Sequence, residues 1–208
     1  MTLVLYDNPS SSNALKARFM LAELGLAYER TIVPFALPRP DWYLAVNAVG
    51  GIPALDDDGF VLSESNAILR YLAGREERHD LYPPEPRRRA RVDELLDRWS
   101  LTFRPAFFRY ESAALGYVPG KGMGGRAPDT GDLPAIADAI APVLRTLDSI
   151  IDPSGCALGT FSLADIAAAP VLYRTVHSGL DLQPFPNVLR WRDTVTARPA
   201  FAAAEPVV

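Results

Sequence analysis

The stretch Gly50-Gly51-Ile52-Pro53-Ala54-Leu55-Asp56-Asp57-Asp58-Gly59-Phe60-Val61-Leu62-Ser63-Glu64-Ser65-Asn66-Ala67-Ile68-Leu69 decides the fold. Two short apolar runs flank Asp58-Gly59, a dipeptide favoured in two-residue hairpin turns. The cluster Ser63-Glu64-Ser65-Asn66 then gives way to apolar positions at helical spacing. The pattern predicts a hairpin that delivers the chain into a helix N-terminus. Free backbone N–H groups and the helix dipole favour an anion there. Ile52-Pro53 stands just before the first strand, where a cis peptide would hold a sharp turn.

Upstream, Leu3-Val4-Leu5-Tyr6 reads as a short buried strand, and Asp7 to Asn13 are all turn or cap formers. Leu15, Phe19, Ala22 and Leu26 then fall near helical spacing, with Lys16, Arg18 and Glu23 on other faces. Gly25 is the expected stop. Tyr28 to Val33 predicts a second strand, parallel to the first across a right-handed crossover. Pro34, Pro38 and Pro40 predict a loop, with one short helix at Asp41-Trp42-Tyr43-Leu44. The first half is therefore βαβ, a connector, then ββα, an α/β unit on a mixed sheet.

Pro83, Pro84 and Pro86 mark a linker, after which no strand-like run recurs. Val92, Leu95, Leu96, Trp99 and Phe103 form a helical stripe that Pro105 should kink. Residues 116–131 hold six glycines and two prolines and read as a long loop. Ile136, Ile140, Val143, Leu144 and Leu147 predict another long helix. Ser162-Leu163-Ala164-Asp165 is a capping box for the next, with Phe161 and Ile166 at its hydrophobic-staple positions. A last helix runs through Val188, Leu189, Trp191 and Val195 to Arg198-Pro199. The expected organisation is residues 1–80 as the α/β domain, 81–86 as linker and 87–208 as an all-helical domain.

The 208 residues carry a formal charge of −4 and a pI near 5.2, which gives no broad electrostatic case for nucleic acid or an anionic membrane. No apolar run is long enough to span a bilayer. The N-terminus has neither a basic region nor a signal-length apolar run, so a cytoplasmic location is expected. The one cysteine, Cys156, rules out an internal disulfide and a zinc site of ordinary Cys/His type.

This order of features resembles the glutathione transferase family. The residues that carry it are Ser11-x-Asn13, Ile52-Pro53-Ala54-Leu55, Glu64-Ser65-Asn66-Ala67-Ile68 and Phe161-Ser162-Leu163-Ala164-Asp165-Ile166, with a tail from Phe185-Pro186-Asn187 to Arg198-Pro199. The resemblance implies a thioredoxin-like N-terminal domain that binds glutathione, a helical domain completing the cleft, and a homodimer. It implies a cis peptide at Pro53, with the residue before it (Ile52) pairing its backbone with the cysteinyl part of glutathione. Glu64-Ser65 would hold the γ-glutamyl end. Ser11 would stabilise the thiolate, with Ser12 as the local alternative and Asn13 as a second donor.

The chemistry behind that assignment is general. The thiolate is the nucleophile, and a free thiol has a pKa of about 8.5, so a hydroxyl at a helix N-terminus helps by hydrogen bond and dipole. From the residues alone, any of Ser10, Ser11, Ser12 and Asn13 would serve equally as a plain N-cap. Serine is not expected to act as a covalent nucleophile, because neither His79 nor His177 carries a triad signature. Gly51 stands where many members carry a cation, and Arg39 is the nearest basic candidate to grip the glycyl carboxylate. Phe107 and Tyr110 are candidate walls of a pocket for an apolar second substrate, with core packing the competing reading. The function expected is activation of glutathione for attack on a small, mostly apolar electrophile, with no metal. The alternatives are a non-catalytic binding or interaction protein of the same fold, and a glutathione-dependent isomerase, dehalogenase or etherase.

Overall fold

In the computed structural model, residues 2–116 and 132–206 are described. The Gly-rich segment singled out above falls, apart from Gly116, outside the described residues. Strand β1 (Leu3–Asp7) leads through a tight turn into α1 (Ser12–Leu24), then β2 (Glu29–Ile32) and the short α2 (Asp41–Val46). The hairpin β3 (Ala54–Asp57) and β4 (Phe60–Ser63) follows, feeding α3 (Ser65–Arg75). The sheet order is β2-β1-β3-β4, with β1 and β2 parallel and the other pairs antiparallel. This is the mixed sheet the pattern predicts and the thioredoxin-like domain the resemblance implies. Asp58 and Gly59 both have positive φ (50° and 92°), the requirement of a type I′ turn.

The second half is helical: α4 (Pro86–Arg98), α5 (Arg104–Leu115), α6 (Leu133–Ile150), α7 (Leu163–Ser178), α8 (Pro186–Thr196) and α9 (Pro199–Ala203). Pro86, assigned to the linker from sequence, is the first residue of α4, and the Glu85 carboxylate caps that helix by accepting from the backbone N–H groups of Arg87 and Arg88. Helix α9 was not anticipated; its Phe201 meets Phe19 of α1 edge-on at 5.2 Å.

The kink expected at Pro105 takes a specific form, a π-helical turn over Trp99–Phe103 between α4 and α5. Proline has no N–H to offer the carbonyl of Leu101, and its ring crowds that carbonyl. The helix widens for one turn, and the Arg104 N–H bonds the Trp99 carbonyl instead.

Helix α1 corrects one expectation. Lys16 and Arg18, read as lying away from the core, are 2% and 1% exposed. The helix is enclosed on all sides, between α3 on one flank and α7 and α9 on the other. Arg18 is compensated by the fully buried Asp7, whose carboxylate accepts from its Nη1 at 2.9 Å and from Arg30 Nε at 2.9 Å. Helix α7 begins with the full capping box: Asp165 accepts from the N–H and hydroxyl of Ser162, the Ala157 N–H and the Trp191 indole, at 2.7–3.0 Å. Burial nevertheless raises the Asp165 carboxyl above the usual range, against those four bonds.

Candidate functional site

The turn between β1 and α1 is held from both domains. Ser11 has extended backbone (φ −83°, ψ 115°) and is the N-cap, its hydroxyl oxygen accepting from the Ala14 N–H at 3.2 Å. That contact leaves the Ser11 hydroxyl proton available for a further partner. Arg18 Nη2 donates to the Pro9 carbonyl at 3.3 Å, and Arg174 Nη2, reaching from α7, donates to the Ser10 carbonyl at 2.7 Å. Ser12 opens α1, and Asn13 follows, half-buried. The first turn of α1 contains no acidic side chain.

Ile52-Pro53 is cis, as expected, and a second cis peptide lies at Leu37-Pro38. Pro53 is buried and Ile52 packs beside Val33, Tyr43 and Ala54 at the head of β3. The Gly51 carbonyl accepts from the Asn47 amide at 2.8 Å and from the Tyr43 hydroxyl. A Cβ on Gly51 would meet nothing closer than the Asn47 amide nitrogen at 3.9 Å, so the position has room for a side chain.

Arg39 does not project as a free cation. It is 6% exposed, and its guanidinium donates to the carbonyls of Gly50, Pro34 and Ala36 at 2.9–3.3 Å. The Pro34 and Ala36 carbonyls lie in the proline-rich loop before α2 and the Gly50 carbonyl in the turn after it, so the guanidinium ties the two together.

Glu64 sits at φ 68° and ψ 110°, a backbone conformation that a non-glycine residue adopts only where its surroundings impose it. It is the N-cap of α3, but its side chain makes no capping bond and the first turn holds no acid. Ser65, buried, is the first helical residue. Glu64 is exposed, and the α3 start lacks a side-chain cap.

Asn66, the next residue, connects the two helix starts. Its carbonyl oxygen accepts from Lys16 Nζ at 3.5 Å and its amide donates to the Ser100 hydroxyl at 3.0 Å. Burial first, then the Arg104 charge, lowers Lys16 to about 7, with Glu64 acting in the opposite direction. Arg104 donates from Nη2 to the Ser12 hydroxyl oxygen at 3.2 Å. Its Nε is buried without a hydrogen-bond partner, and burial lowers its pKa. Arg174 Nη1 pairs with Glu111 Oε1 at 3.0 Å, both side chains 4% exposed.

The structure thus brings Ser11, Ser12 and Asn13 into the neighbourhood of Glu64 and Ser65, through α1–α3 packing and the Lys16–Asn66 contact. Phe107 and Tyr110 fall elsewhere. Phe107 is 1% exposed with its ring 5.6 Å from Trp99, and the Tyr110 hydroxyl donates to the Gly179 carbonyl at 3.5 Å. Both belong to the helical core, because they continue the apolar stripe of α5. Phe108, 43% exposed and beside the Arg104 guanidinium, is the aromatic on the open side.

Sequence reasoning missed Lys16, Ser100, Arg104, Glu111 and Arg174. The one legible signal was Arg104-Pro105, a charge attached to an expected kink. Among the described residues no group of three or more His, Cys, Asp or Glu side chains is arranged to hold a metal ion, and no helix is long and apolar enough to cross a membrane.

A thioredoxin-like domain with a cis-proline before β3, whose α1 start is reached by Arg104 and Arg174 of an all-helical domain, defines a recognisable class. Residues 1–74 match the family model "Glutathione S-transferase, N-terminal domain" and residues 85–194 match "Glutathione S-transferase, C-terminal domain". The chain is 31% identical over 207 residues to glutathione S-transferase GstB of Escherichia coli K12, covering 95% of each. It is 28% identical over 208 residues to a maleylacetoacetate isomerase of Pseudomonas aeruginosa, covering 97% of this chain and 95% of that one. Among solved structures, a glutathione transferase homologue from Sulfitobacter with bound glutathione superposes with a TM-score of 0.77 at 25% identity, covering 98% and 97% of the two chains. The chain belongs to the glutathione S-transferase family and is an enzyme of glutathione transferase type.

Proposed function

We propose that glutathione lies along the seam formed by the starts of α1 and α3 and the Ile52-Pro53 edge. Ser11 donates its hydroxyl proton to the thiolate, with Ser12 and Asn13 as neighbouring donors. The Ser65 N–H and hydroxyl take the γ-glutamyl carboxylate, Glu64 orients the ammonium group, and the Ile52 backbone pairs with the cysteinyl unit. The observation that carries this reading is the α3 start. It has no side-chain cap, sits behind a backbone held in the left-handed region, and lies beside an α1 start with no acid of its own. An α3 start without a side-chain cap, beside an α1 start with no acid in its first turn, favours an anionic ligand.

The second substrate is a small, mostly apolar electrophile, taken up on the side of α5 that exposes Phe108. Residues 1–80 supply the glutathione half, 81–85 the linker, and the helices from α4 onward the other wall. A homodimer and a cytoplasmic location complete the reading, supported respectively by the exposed apolar Phe60, Val61 and Leu101 and by a single cysteine that needs no oxidising compartment.

Titration calorimetry with glutathione, followed by turnover on aryl halides and enones with and without Ser11→Ala, tests the reading. No heat at millimolar glutathione would refute it. A second reading, glutathione-dependent isomerisation, is favoured by the maleylacetoacetate isomerase relatives. It predicts cis–trans isomerisation of an enone acid with no net consumption of glutathione. The carbonyl-bound Arg39 and the absent side chain at Gly51 favour weak affinity, the feature a non-catalytic binding protein would share.

A further inference from the structure

Arg104 is a helical-domain residue whose guanidinium bonds a hydroxyl at the start of α1. Its Nη2 lies 3.2 Å from the Ser12 oxygen, its Nε is buried with no hydrogen-bond partner, and the side chain as a whole is half-buried. An oxygen that accepts from a guanidinium cannot direct its own proton back at that donor. The Ser12 O–H is left to donate elsewhere, and a charged donor on the oxygen polarises it.

The charged groups around this contact are of both signs. Lys16 faces it from α1, Glu64 from the start of α3, Glu111 from α5 itself and Arg174 from α7. With Arg104, that is two guanidiniums and a lysine held at about 7 against two carboxylates. One of those carboxylates, Glu111, is paired with Arg174. That leaves the Arg104 guanidinium as the cation in hydrogen-bond contact with the first residue of α1, at the positive end of the helix dipole.

The fold places Arg104 there by a specific device. The π-helical turn before Pro105 offsets α5 relative to α4, and Arg104 is the first residue after it. Such turns recur at functional positions because they re-aim one side chain without breaking the helix.

We infer that Arg104 is a positioning residue that acts through Ser12, orienting its hydroxyl proton toward the bound thiol and lowering the pKa of that thiol from the helical-domain side of the cleft. This rests on the glutathione site proposed above. Ser12 is then a working donor beside Ser11, and the thiolate site is assembled from both domains.

The test measures two quantities separately in the full-length protein. Calorimetry gives glutathione affinity, and the ultraviolet absorbance of the thiolate against pH gives the pKa of the bound thiol. Arg104→Met is expected to bind glutathione within about threefold of wild type and to raise the bound-thiol pKa by roughly one unit, as loss of a nearby cation does. Arg104→Lys is expected to recover part of that shift, because it restores charge without the planar fork. Ser12→Ala should raise the pKa as well, and in its background Arg104→Met should add little, the signature of one relay.

A wild type that binds no glutathione refutes the underlying site. Binding with a thiol pKa that neither Arg104→Met nor Ser12→Ala moves overturns the relay alone. Additive shifts in the double variant also overturn it, showing two independent effects. Should Arg104→Met fail to fold by circular dichroism, Ser12→Ala decides: an unchanged thiol pKa rejects the inference.

Discussion

The starts of α1 and α7 both open on serine and differ in what satisfies them. At α7 the chain supplies the anion: the Asp165 carboxylate accepts four hydrogen bonds and is fully enclosed. At α1 the first turn carries no acid, and the nearby side chains on α1, α5 and α7 are Lys16, Arg104 and Arg174. The same helix-end physics is closed in one place and left open in the other. A closed N-terminus stabilises the fold, whereas an open one with surrounding cations has affinity left for a ligand.

Breaking the closed end should cost most. Asp165→Ala strands the Ser162 and Ala157 N–H groups and the Trp191 indole in the core. We expect a loss of about 4 kcal/mol in urea unfolding, from buried donors left without acceptors. A loss under about 1 kcal/mol would mean that the α7 start is not a structural cap in the sense used here.

The open end should respond in the opposite currency. Ser11→Ala removes the Ala14 cap contact, worth about 1 kcal/mol in stability. It should lower kcat/KM for conjugation by about a hundredfold, the scale of a lost donor to a developing anion. A large stability loss with unchanged turnover would reverse the contrast between the two ends.

Lys16 sharpens the comparison through pH. Its folded pKa of about 7 lies below the ordinary lysine value of 10.5, so the unfolded chain holds a proton that the folded one has released between those values. Stability contributed by this site therefore rises with pH above 7, and the cost of burying the charge is present in full below it. Without ligand, wild type should gain about 2 kcal/mol relative to Lys16→Met between pH 7 and pH 9. Parallel stability curves for the two proteins over that window would show that Lys16 is not held near neutrality.

The smallest effect is expected at Gly51, which offers no side chain just before the Ile52-Pro53 edge. Its φ is unstrained and the site has room for a Cβ. Gly51→Lys should tighten glutathione about threefold, the worth of an exposed ion pair, and the gain should shrink at high salt. Unchanged affinity would mean that the glycyl carboxylate lies elsewhere.

Much of this was legible in the sequence because it depends on local rules. The Asp58-Gly59 turn, the Ser162–Asp165 box, the Gly25 stop and the Pro105 interruption follow from backbone sterics and short-range hydrogen bonding, which a few adjacent residues settle. Phe107 was ambiguous for the opposite reason: a buried aromatic and a pocket wall have the same helical spacing. Arg39 suggested a ligand cation, but its partners are loop carbonyls whose need for a donor appears only once the loop is folded.

By itself the sequence determined the order of elements, the two-part architecture, the serine-rich turn before α1 and the Glu64-Ser65 start of α3. Tertiary structure decided which charges surround those starts. Lys16, Arg104 and Arg174 are far apart along the chain, and nothing in their local sequence distinguishes them from surface cations. Only the packing of α1 against α3 and α7, with Arg104 reaching in from α5, brings them together around one helix end. Desolvation and Coulomb interaction depend on distance through space rather than along the chain, so the character of the site is a property of the assembled fold.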